Sequence, residues 1–216
     1  MQRTPQESFW SGDFGREYTD RNSRHLDEWN GFYRTTWGQT KLEMNQEFLG
    51  ELSPETRILE VGCNTGMQLR GLQAAGFQNL YGVELQAYAV EKAKTYTQHL
   101  NIIQGSGFDL PFKTGFFDVV CTNGVLIHIA PADLPRLMAE MVRCSGRYIW
   151  GFEYYAPQLT AVPYRGNEGF LWKADYAQLF LANFPELRIV KQRLYDYQTE
   201  AERGNQDVMY LLEKTT

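Results

Sequence analysis

The chain alternates short apolar runs with segments that have the spacing of amphipathic helices, and this alternation constrains the fold more than any other feature. Such alternation is typical of a parallel sheet that is covered by helices on both faces. We therefore predict an α/β fold with seven strands, at Arg57 to Gly62, Leu80 to Leu85, Asn101 to Gln104, Phe117 to Thr122, Arg147 to Phe152, Leu187 to Tyr195 and Val208 to Glu213.

The last two predicted strands are connected differently from the others. Only Asp196 to Asp207 separates them, and this segment has the turn residues Gly204 and Asn205 but no helical repeat. We predict that the two strands pair antiparallel, because a crossover between parallel strands usually contains a helix. The sheet is thus expected to be mostly parallel, with its last strand antiparallel.

Helices are predicted between the earlier strands. They are expected at Met67 to Ala75, at Ala87 to Gln98 and at Asp133 to Cys144. Gly76 follows the first of them, as glycine often does at the end of a helix. The third places its leucines and methionines on one side, which is typical of a helix that faces a core.

Two segments do not belong to the alternating pattern. The start of the chain has eight Phe, Trp and Tyr residues between Phe9 and Trp37, too many for a solvated tail. It is interpreted as a lid over a ligand or, alternatively, as a helix packed against the sheet edge. The segment 153–172 is dense in Tyr, Pro and Gly and follows the fifth strand. A chain of 216 residues fits one domain. We expect a single domain over 1–216, with 1–40 as an N-terminal lid or helical extension and 153–172 as a substrate-side insertion.

Composition and charge narrow the classes of partner. A formal charge of -5 without a basic cluster argues against nucleic acid binding. No run of about 18 apolar residues is present, so no membrane span is expected. The polar start lacks the apolar stretch of an export signal, which predicts a cytoplasmic location. Cys63, Cys121 and Cys144 are widely spaced and lie mostly in apolar runs, which predicts buried reduced thiols rather than disulfides or a metal site.

The segment Ile58 to Gly66 joins an apolar strand to a glycine turn that opens a helix. Glycine permits positive φ angles and lets a ligand approach the backbone closely. A dinucleotide fingerprint needs glycine at 62, 64 and 67, but the chain has Gly62, Asn64 and Met67, so a nicotinamide cofactor is disfavoured. The next strand ends near Glu84, whose carboxylate can accept hydrogen bonds from both hydroxyls of a ribose.

This turn resembles the acidic-x-Gly-x-x-x-Gly turn of the Rossmann-like class I methyltransferases. The resemblance implies a Rossmann-like fold, S-adenosylmethionine as cofactor and S-adenosylhomocysteine as product, with Glu60 and the turn around the amino-acid end of the cofactor. It also implies that Gly107 and Phe108, after the third strand, contact the adenine. The predicted cofactor residues are Glu60, Gly62, Asn64, Gly66, Glu84, Leu85, Gly107, Phe108, Asn123, Trp10 and Tyr18.

Some of these assignments have alternatives. Asp109 either meets the adenine amine or caps the turn before Pro111. Asn123 ends the fourth strand and is expected to bind the cofactor or the acceptor, or else only to form a turn. Trp10 and Tyr18 cover the cofactor only if the start of the chain is a lid.

Further segments, spread over most of the chain, resemble the small methylases that are encoded with pseudaminic acid biosynthesis genes. This resemblance implies S-adenosylmethionine-dependent methylation near nonulosonic sugar metabolism and leaves the acceptor molecule open. It rests on Phe9 to Gly15 with Tyr18 and Arg21-Asn22, on Gly124 to Ile129, on Glu153 to Tyr155, on Pro163 to Gly169 and on Leu211 to Lys214.

Methyl transfer is an in-line displacement, so the protein must mainly align the acceptor and exclude water. His128, just past the fourth strand, is the predicted catalytic base; alternatively it only hydrogen-bonds a backbone carbonyl and orders the loop before Pro131. Arg165 would bind a carboxylate or phosphate, unless it forms a surface salt bridge. The predicted substrate residues are Glu153, Tyr154, Tyr155, Tyr164 and Arg165.

The function predicted from the sequence is O- or N-methylation of a small polar molecule by S-adenosylmethionine. The expected acceptor is a sugar, sugar nucleotide or nonulosonic acid related metabolite. Two alternatives stay open: a small amine or amino-acid derivative as acceptor, and a module that binds S-adenosylmethionine without catalysis.

Overall fold

The computed structural model describes residues 3–22 and 25–215. In this part of the chain, the helices that precede the sheet are α1 (Pro5–Ser11), α2 (Asp13–Asn22), α3 (Leu26–Trp37) and α4 (Lys41–Leu49). Capping boxes start α1 and α4, where Thr4 pairs with Glu7 and Thr40 with Glu43. Residues 1, 2, 23 and 24 of the predicted 1–40 extension lie outside the described residues.

Within the described residues, nine strands follow in chain order: β1 (Arg57–Val61), β2 (Asn79–Glu84), β3 (Asn101–Gln104), β4 (Phe117–Asn123), β5 (Ser145–Tyr155), β6 (Thr160–Ala161), β7 (Trp172–Lys173), β8 (Leu187–Asp196) and β9 (Gln206–Lys214). Seven of them form one sheet in the order β3-β2-β1-β4-β5-β9-β8. β9 is antiparallel to both β5 and β8, and the other pairs are parallel. The predicted seven-stranded, mostly parallel sheet with an antiparallel last strand is confirmed.

The later helices lie between the strands: α5 (Met67–Ala74), α6 (Ala87–Tyr96), α7 (Leu134–Cys144) and α8 (Tyr176–Asn183). Short 3-10 turns occur at Leu126–His128 and Glu200–Glu202. The three predicted helices are present with ends shifted by one or two residues. The sequence pattern did not reveal α8 or the two-residue strands β6 and β7, which pair with each other apart from the main sheet.

Each face of the sheet is covered by its own apolar cluster. On one face α7 and α8 pack through residues such as Leu137, Met141 and Phe180. On the other, α3 contributes Trp29 and Tyr33 alongside residues of α4 and α5. Strands buried on both faces carry near-continuous apolar runs, which is why they could be recognised in the sequence.

The position of the site follows from the strand order. From β1 the chain proceeds outward to β2 and β3, and then returns to the other side of β1 through β4 and β5. The loops that follow β1 and β4 therefore leave in opposite directions, and a crevice opens at the carboxyl ends of these strands. Among the described residues, no helix is long and apolar enough to cross a membrane. All three cysteines are buried and unpaired.

Candidate functional site

A cavity of about 280 Å³ lies at the carboxyl ends of β1, β2, β3 and β4. Its volume is close to the lower end of the range for small-molecule sites, about 300 to 1,000 Å³. The structure brings together in its lining all the predicted cofactor residues except Gly66, and His128 as well. The predicted substrate residues are not in the lining.

Backbone geometry explains the glycine turn. Gly62, Asn64 and Gly66 all have positive φ angles, of 74°, 48° and 77°. A Cβ atom at position 62 would lie 2.6 Å from a Val125 methyl group, so only glycine fits there. The Gly66 amide donates to the Cys63 carbonyl over 2.8 Å, which closes the turn before α5 begins. Gly66 thus shapes the turn without lining the cavity.

The Glu84 carboxylate lies at the end of β2, and each of its two oxygens accepts a hydrogen bond from a backbone amide. It accepts from the Asn64 amide over 2.8 Å and from the Gln86 amide over 2.7 Å. Burial raises the pKa of Glu84, and these backbone hydrogen bonds oppose the shift. A carboxylate has about four acceptor positions, so Glu84 keeps acceptor capacity for a ligand.

Glu60, in β1, is buried and incompletely satisfied. Its Oε2 atom has no hydrogen-bond partner among the described residues. Burial raises the pKa of this carboxyl well above its usual range, while the nearby Lys41 opposes the shift. A buried charge needs a counter-charge or a donor, so the cavity has room for a cationic or N–H group of a ligand beside Glu60.

Gln68 is a cavity residue that the sequence reasoning missed. It lies in the first turn of α5, is buried, and neither atom of its amide has a hydrogen-bond partner among the described residues. Buried amides are normally hydrogen-bonded. Its position, two residues past the glycine turn, was the available signal, because side chains there face the same crevice as the turn.

The predicted adenine segment also lines the cavity. Gly107 and Phe108 line it, and the Phe108 amide donates to Ser106 Oγ over 3.1 Å. The Arg136 guanidinium lies 4.7 Å from the centre of the Phe108 ring. Asp109 is exposed and outside this cavity, and its amide donates to the Ser106 carbonyl. Of its two predicted roles, the turn role agrees with this placement.

The helices α1 and α2 cover the cavity, and polar contacts hold them to three loops. Glu7 Oε1 accepts from Ser106 Oγ over 2.6 Å. Gln86 Nε2 donates to the carbonyls of Trp10 and Gly12, over 3.2 and 3.0 Å, and Gln6 Nε2 donates to the Gly169 carbonyl over 3.0 Å. The next two helices, α3 and α4, instead pack on the sheet. The interpretation of the aromatic start as a lid therefore fits α1 and α2, and its interpretation as a helix packed against the sheet fits α3 and α4.

Aromatic side chains of this cover reach into the cavity. The Trp10 ring centre lies 5.1 Å from that of Tyr18 and 4.6 Å from that of His128. The Trp10 Nε1 atom is buried without a partner among the described residues. Burial, with further contributions from Tyr164 and Glu84, raises the pKa of Tyr18 to about 12. Tyr18 is therefore a hydrogen-bond donor at neutral pH.

His128 is buried in the 3-10 turn after β4. Its Nδ1 atom lies 2.7 Å from the Phe170 carbonyl oxygen, which only accepts, so Nδ1 carries the proton. Burial lowers the pKa of His128 to about 4. The imidazole is thus neutral at neutral pH, and Nε2, which has no hydrogen-bond partner among the described residues, is its acceptor atom. The hydrogen bond to a backbone carbonyl was one of the two roles predicted for His128. It leaves Nε2 available for the other predicted role, that of a base.

The predicted substrate residues lie around the cavity rather than in it. Glu153 is buried behind the turn, where it accepts from the amides of Val125 and Ile127 over 3.2 and 3.4 Å. Burial raises the pKa of Glu153 to about 7. Its carboxylate holds the loop that carries His128, and so cannot meet a molecule in the cavity from this position.

The four other predicted substrate residues are nearer the surface. The Tyr164 ring centre lies 4.8 Å from that of His128. Arg165 is exposed and has a positive φ of 49°. Tyr154 and Tyr155 are half-buried at the end of β5. Tyr164 touches His128, which lines the cavity, and the structure does not bring Arg165 into the lining.

Lys41 is the second residue that the sequence reasoning missed. It is fully buried, and its Nζ atom donates to Asn123 Oδ1 over 2.9 Å and lies 3.7 Å from the centre of the Phe152 ring. Burial lowers the pKa of Lys41 to about 7, against the opposing effect of Asp207 and Glu60. No sequence signal identifies this lysine, because it begins an otherwise ordinary capped helix.

Comparisons with known proteins agree with this geometry. Residues 59–147 match the family model described as a methyltransferase domain. The chain is 29% identical over 92 residues to an uncharacterized methyltransferase of Synechocystis, covering 43% of each. It is 27% identical over 151 residues to the glycine/sarcosine/dimethylglycine N-methyltransferase of Actinopolyspora halophila, covering 58% of this chain and 26% of that protein. The chain thus spans less than half the length of these curated relatives.

A solved structure extends the likeness to the whole fold. It is the Burkholderia thailandensis 1,6-didemethyltoxoflavin-N1-methyltransferase with 1,6-didemethyltoxoflavin and S-adenosylhomocysteine bound, with a TM-score of 0.72 and 14% identity over 100% of this chain and 92% of that one. The Rossmann-like methyltransferase fold predicted from the sequence is confirmed. The matches support the predicted class, an S-adenosylmethionine-dependent methyltransferase.

Proposed function

We propose, from the methyltransferase domain at residues 59–147, that this protein transfers a methyl group from S-adenosylmethionine to a small polar molecule. The observation that carries the proposal is the cavity at the carboxyl ends of β1 to β4. It combines a buried, unpartnered carboxylate oxygen of Glu60 with the partly free carboxylate of Glu84. The matched domain spans both residues.

The donors and acceptors in the cavity fit the cofactor along its length. Glu60 can accept from the ammonium group of the methionine end, and Glu84 has acceptor positions for the two ribose hydroxyls. Phe108 offers an apolar ring, and Gly107 gives the adenine close access to the backbone. The unpartnered amide of Gln68 adds both a donor and an acceptor at the methionine end.

The bound cofactor supplies an activated sulfonium methyl group, and the chain's own residues align and shield the acceptor. Trp10 and Tyr18 close the cavity from α1 and α2, which excludes water from the reaction. His128 presents Nε2 as a neutral acceptor of a hydrogen bond from the acceptor's O–H or N–H group. A pKa of about 4 makes it a weak base, so its role is to orient the nucleophile and take a proton late in the transfer.

The acceptor that we propose first is a sugar, sugar nucleotide or nonulosonic acid related metabolite. The resemblance of 9–22, 124–129 and 163–169 to the methylases encoded with pseudaminic acid genes supports this class. The curated relative that methylates glycine, sarcosine and dimethylglycine favours a second class, small amines and amino-acid derivatives. The small volume of the cavity fits either class better than a polymer.

The domain organisation that we propose is one methyltransferase domain over 1–216. Its lid is the pair α1 and α2, while α3 and α4 belong to the packed body. The segment 153–172 remains a substrate-side insertion in this proposal, because Tyr164 and Phe170 contact His128 from it.

A turnover assay tests the proposal. Purified protein is incubated with methyl-labelled S-adenosylmethionine and a panel of nonulosonic acids, nucleotide-activated sugars, small amines and amino acids, and label in the acceptor is measured. Label in one class identifies the acceptor. If S-adenosylmethionine binds but label appears in no acceptor of the panel, the non-catalytic module becomes the better account. Binding of neither S-adenosylmethionine nor its product would reject the proposed function.

A further inference from the structure

The methionine end of S-adenosylmethionine carries an ammonium and a carboxylate, so a site for it needs an acceptor and a donor side by side. Glu60 supplies the acceptor, but no arginine or lysine is among the described residues that line the cavity. The donor must therefore come from a neutral group. Asn123, which lines the cavity at the end of β4, is placed to provide one.

We propose that Lys41 is a positioning residue, which holds the Asn123 side chain so that its N–H₂ group faces the cavity and binds the carboxylate of the cofactor's methionine end. This inference rests on the proposed function and assigns a role to a residue that does not itself line the cavity.

The Lys41–Asn123 contact fixes which way the amide points. Lys41 Nζ lies 2.9 Å from Asn123 Oδ1, and an amine of lysine can donate to an amide oxygen but not to an amide N–H₂ group. The oxygen of Asn123 therefore faces Lys41. The Tyr33 phenol lies beside the Asn123 side chain and takes at most one hydrogen of its amide. An amide N–H₂ has two hydrogens, so a donor is left for a ligand.

The sheet places this donor on the same face as Glu60. Side chains alternate between the two faces of a strand, so Glu60 shares a face with Ile58, and Asn123 shares a face with Val119 and Cys121. Ile58, Val119 and Cys121 all belong to the apolar cluster that α3 and α4 cover. The strands β1 and β4 are neighbours in the sheet, so the carboxylate and the amide flank one crevice.

Lys41 is held too firmly to serve as a mobile ligand of its own. It is fully buried at the start of α4, with Phe152 below its amine at 3.7 Å and Tyr33 at 5.0 Å. The charged and titratable groups around it are Tyr33, Glu60, Cys121, Glu153 and Asp207. Burial lowers the pKa of Lys41 to about 7. Both its charged and its neutral form can donate to Asn123, so the amide stays oriented on either side of neutral pH.

Calorimetric titration with two probes tests the proposal. S-adenosylhomocysteine carries the methionine end, and 5′-methylthioadenosine lacks it. Lys41→Met should weaken S-adenosylhomocysteine binding about tenfold, as expected for one lost hydrogen bond to a charged group. It should leave 5′-methylthioadenosine binding unchanged. Lys191→Met is the matched control, because Lys191 is only half-buried and contacts Glu47 and Phe48 of the same helix without lining the cavity.

A double-mutant cycle separates positioning from a general effect on the fold. Asn123→Ala should weaken S-adenosylhomocysteine binding as much as Lys41→Met does, and the double variant should be no worse than either. Thermal unfolding of Lys41→Met should occur at a lower temperature, because Asn123 Oδ1 and the buried carboxyls around the amine lose a partner, so affinities are compared at a temperature at which both proteins are folded.

Several results would overturn the inference: unchanged S-adenosylhomocysteine affinity in Lys41→Met, an equal loss with 5′-methylthioadenosine, or additive losses in the double variant. If the unaltered protein binds neither probe, the proposed function fails together with the inference. If it binds both probes and Lys41→Met behaves like the unaltered protein, only the inference fails.

Discussion

The imidazole of His128 meets a backbone carbonyl through one nitrogen and is free to meet a ligand through the other. Substitutions can separate these two contacts. In His128→Asn the side-chain amide can still donate to the Phe170 carbonyl, but nothing replaces Nε2. We expect His128→Asn and His128→Ala both to lower turnover by tenfold or more with little change in S-adenosylmethionine affinity. Normal turnover in His128→Asn would show that the carbonyl contact alone matters.

The same residue gives a prediction for stability against pH. Burial lowers the pKa of His128 to about 4 from 6.5, so the unfolded chain takes up a proton on acidification before the folded protein does. The stabilisation is therefore present above pH 6.5 and is lost as the pH falls toward 4. Between pH 7 and pH 5 this loss is about 2 kcal/mol. Denaturant unfolding should show His128→Asn losing that much less stability than the unaltered protein; equal losses would contradict the assignment.

Glu84 provides the second prediction at this scale. Glu84→Ala should weaken S-adenosylmethionine binding tenfold or more, because charge-assisted bonds to the ribose are lost. Because burial raises the pKa of this carboxyl, binding by the unaltered protein should weaken on acidification at a higher pH than an ordinary carboxyl would give. Calorimetry measures both effects, with the exposed Glu51→Ala as control. Unchanged affinity in Glu84→Ala would refute the ribose assignment.

Among the helices and strands, α1 and α2 give the most specific prediction, which concerns how firmly they cover the cavity. The Gln86 amide joins them to the body through the carbonyls of Trp10 and Gly12. Gln86→Leu should remove these bonds and open the cover more often, so bound S-adenosylhomocysteine should dissociate several times faster. Stopped-flow fluorescence of Trp10 and its neighbours can follow this release. Gln178→Leu, on the exposed side of α8, is the control. An unchanged release rate would show that Gln86 does not hold the cover.

Removing the cover altogether is the stronger test of the lid. A chain lacking residues 1–22 should fold, because α3 and α4 carry the aromatic residues that pack on the sheet. It should have no turnover, since water then reaches the cavity. Circular dichroism checks the fold and the labelled-methyl assay checks turnover. Turnover in the shortened chain would contradict the interpretation of α1 and α2 as a lid.

The elements differ in how far the sequence could predict them. β1, β2 and β4 are buried on both faces, so their apolar runs identified them, and the turn residues before Val208 identified the antiparallel strand. β6 and β7 have only two residues each, too few for a periodic signal. In α8 the apolar residues are spread around the whole helix. The sequence therefore lacks the pattern of one apolar face by which an amphipathic helix is recognised.

At the scale of the whole molecule, the sequence could predict those site residues that belong to one continuous motif of the chain. Glu60, Gly62 and Glu84 were found because they end strands that precede glycine or helix signals. Lys41 was not found, because its contact with Asn123 joins positions far apart in the sequence. The sequence placed Glu153 near the end of β5, as the structure has it. Side chains alternate between the two faces of a strand, however, and Glu153 points behind the loop that carries His128 instead of into the cavity.

The central claim is that the cavity between the sheet and α1–α2 binds S-adenosylmethionine. Calorimetric titration of the full chain with S-adenosylmethionine, S-adenosylhomocysteine and a nicotinamide dinucleotide tests it most directly. We expect each chain to bind one adenosyl cofactor with micromolar affinity, and the dinucleotide to give no heat of binding. Absence of binding by both adenosyl compounds would contradict the account and leave the glycine turn as architecture alone.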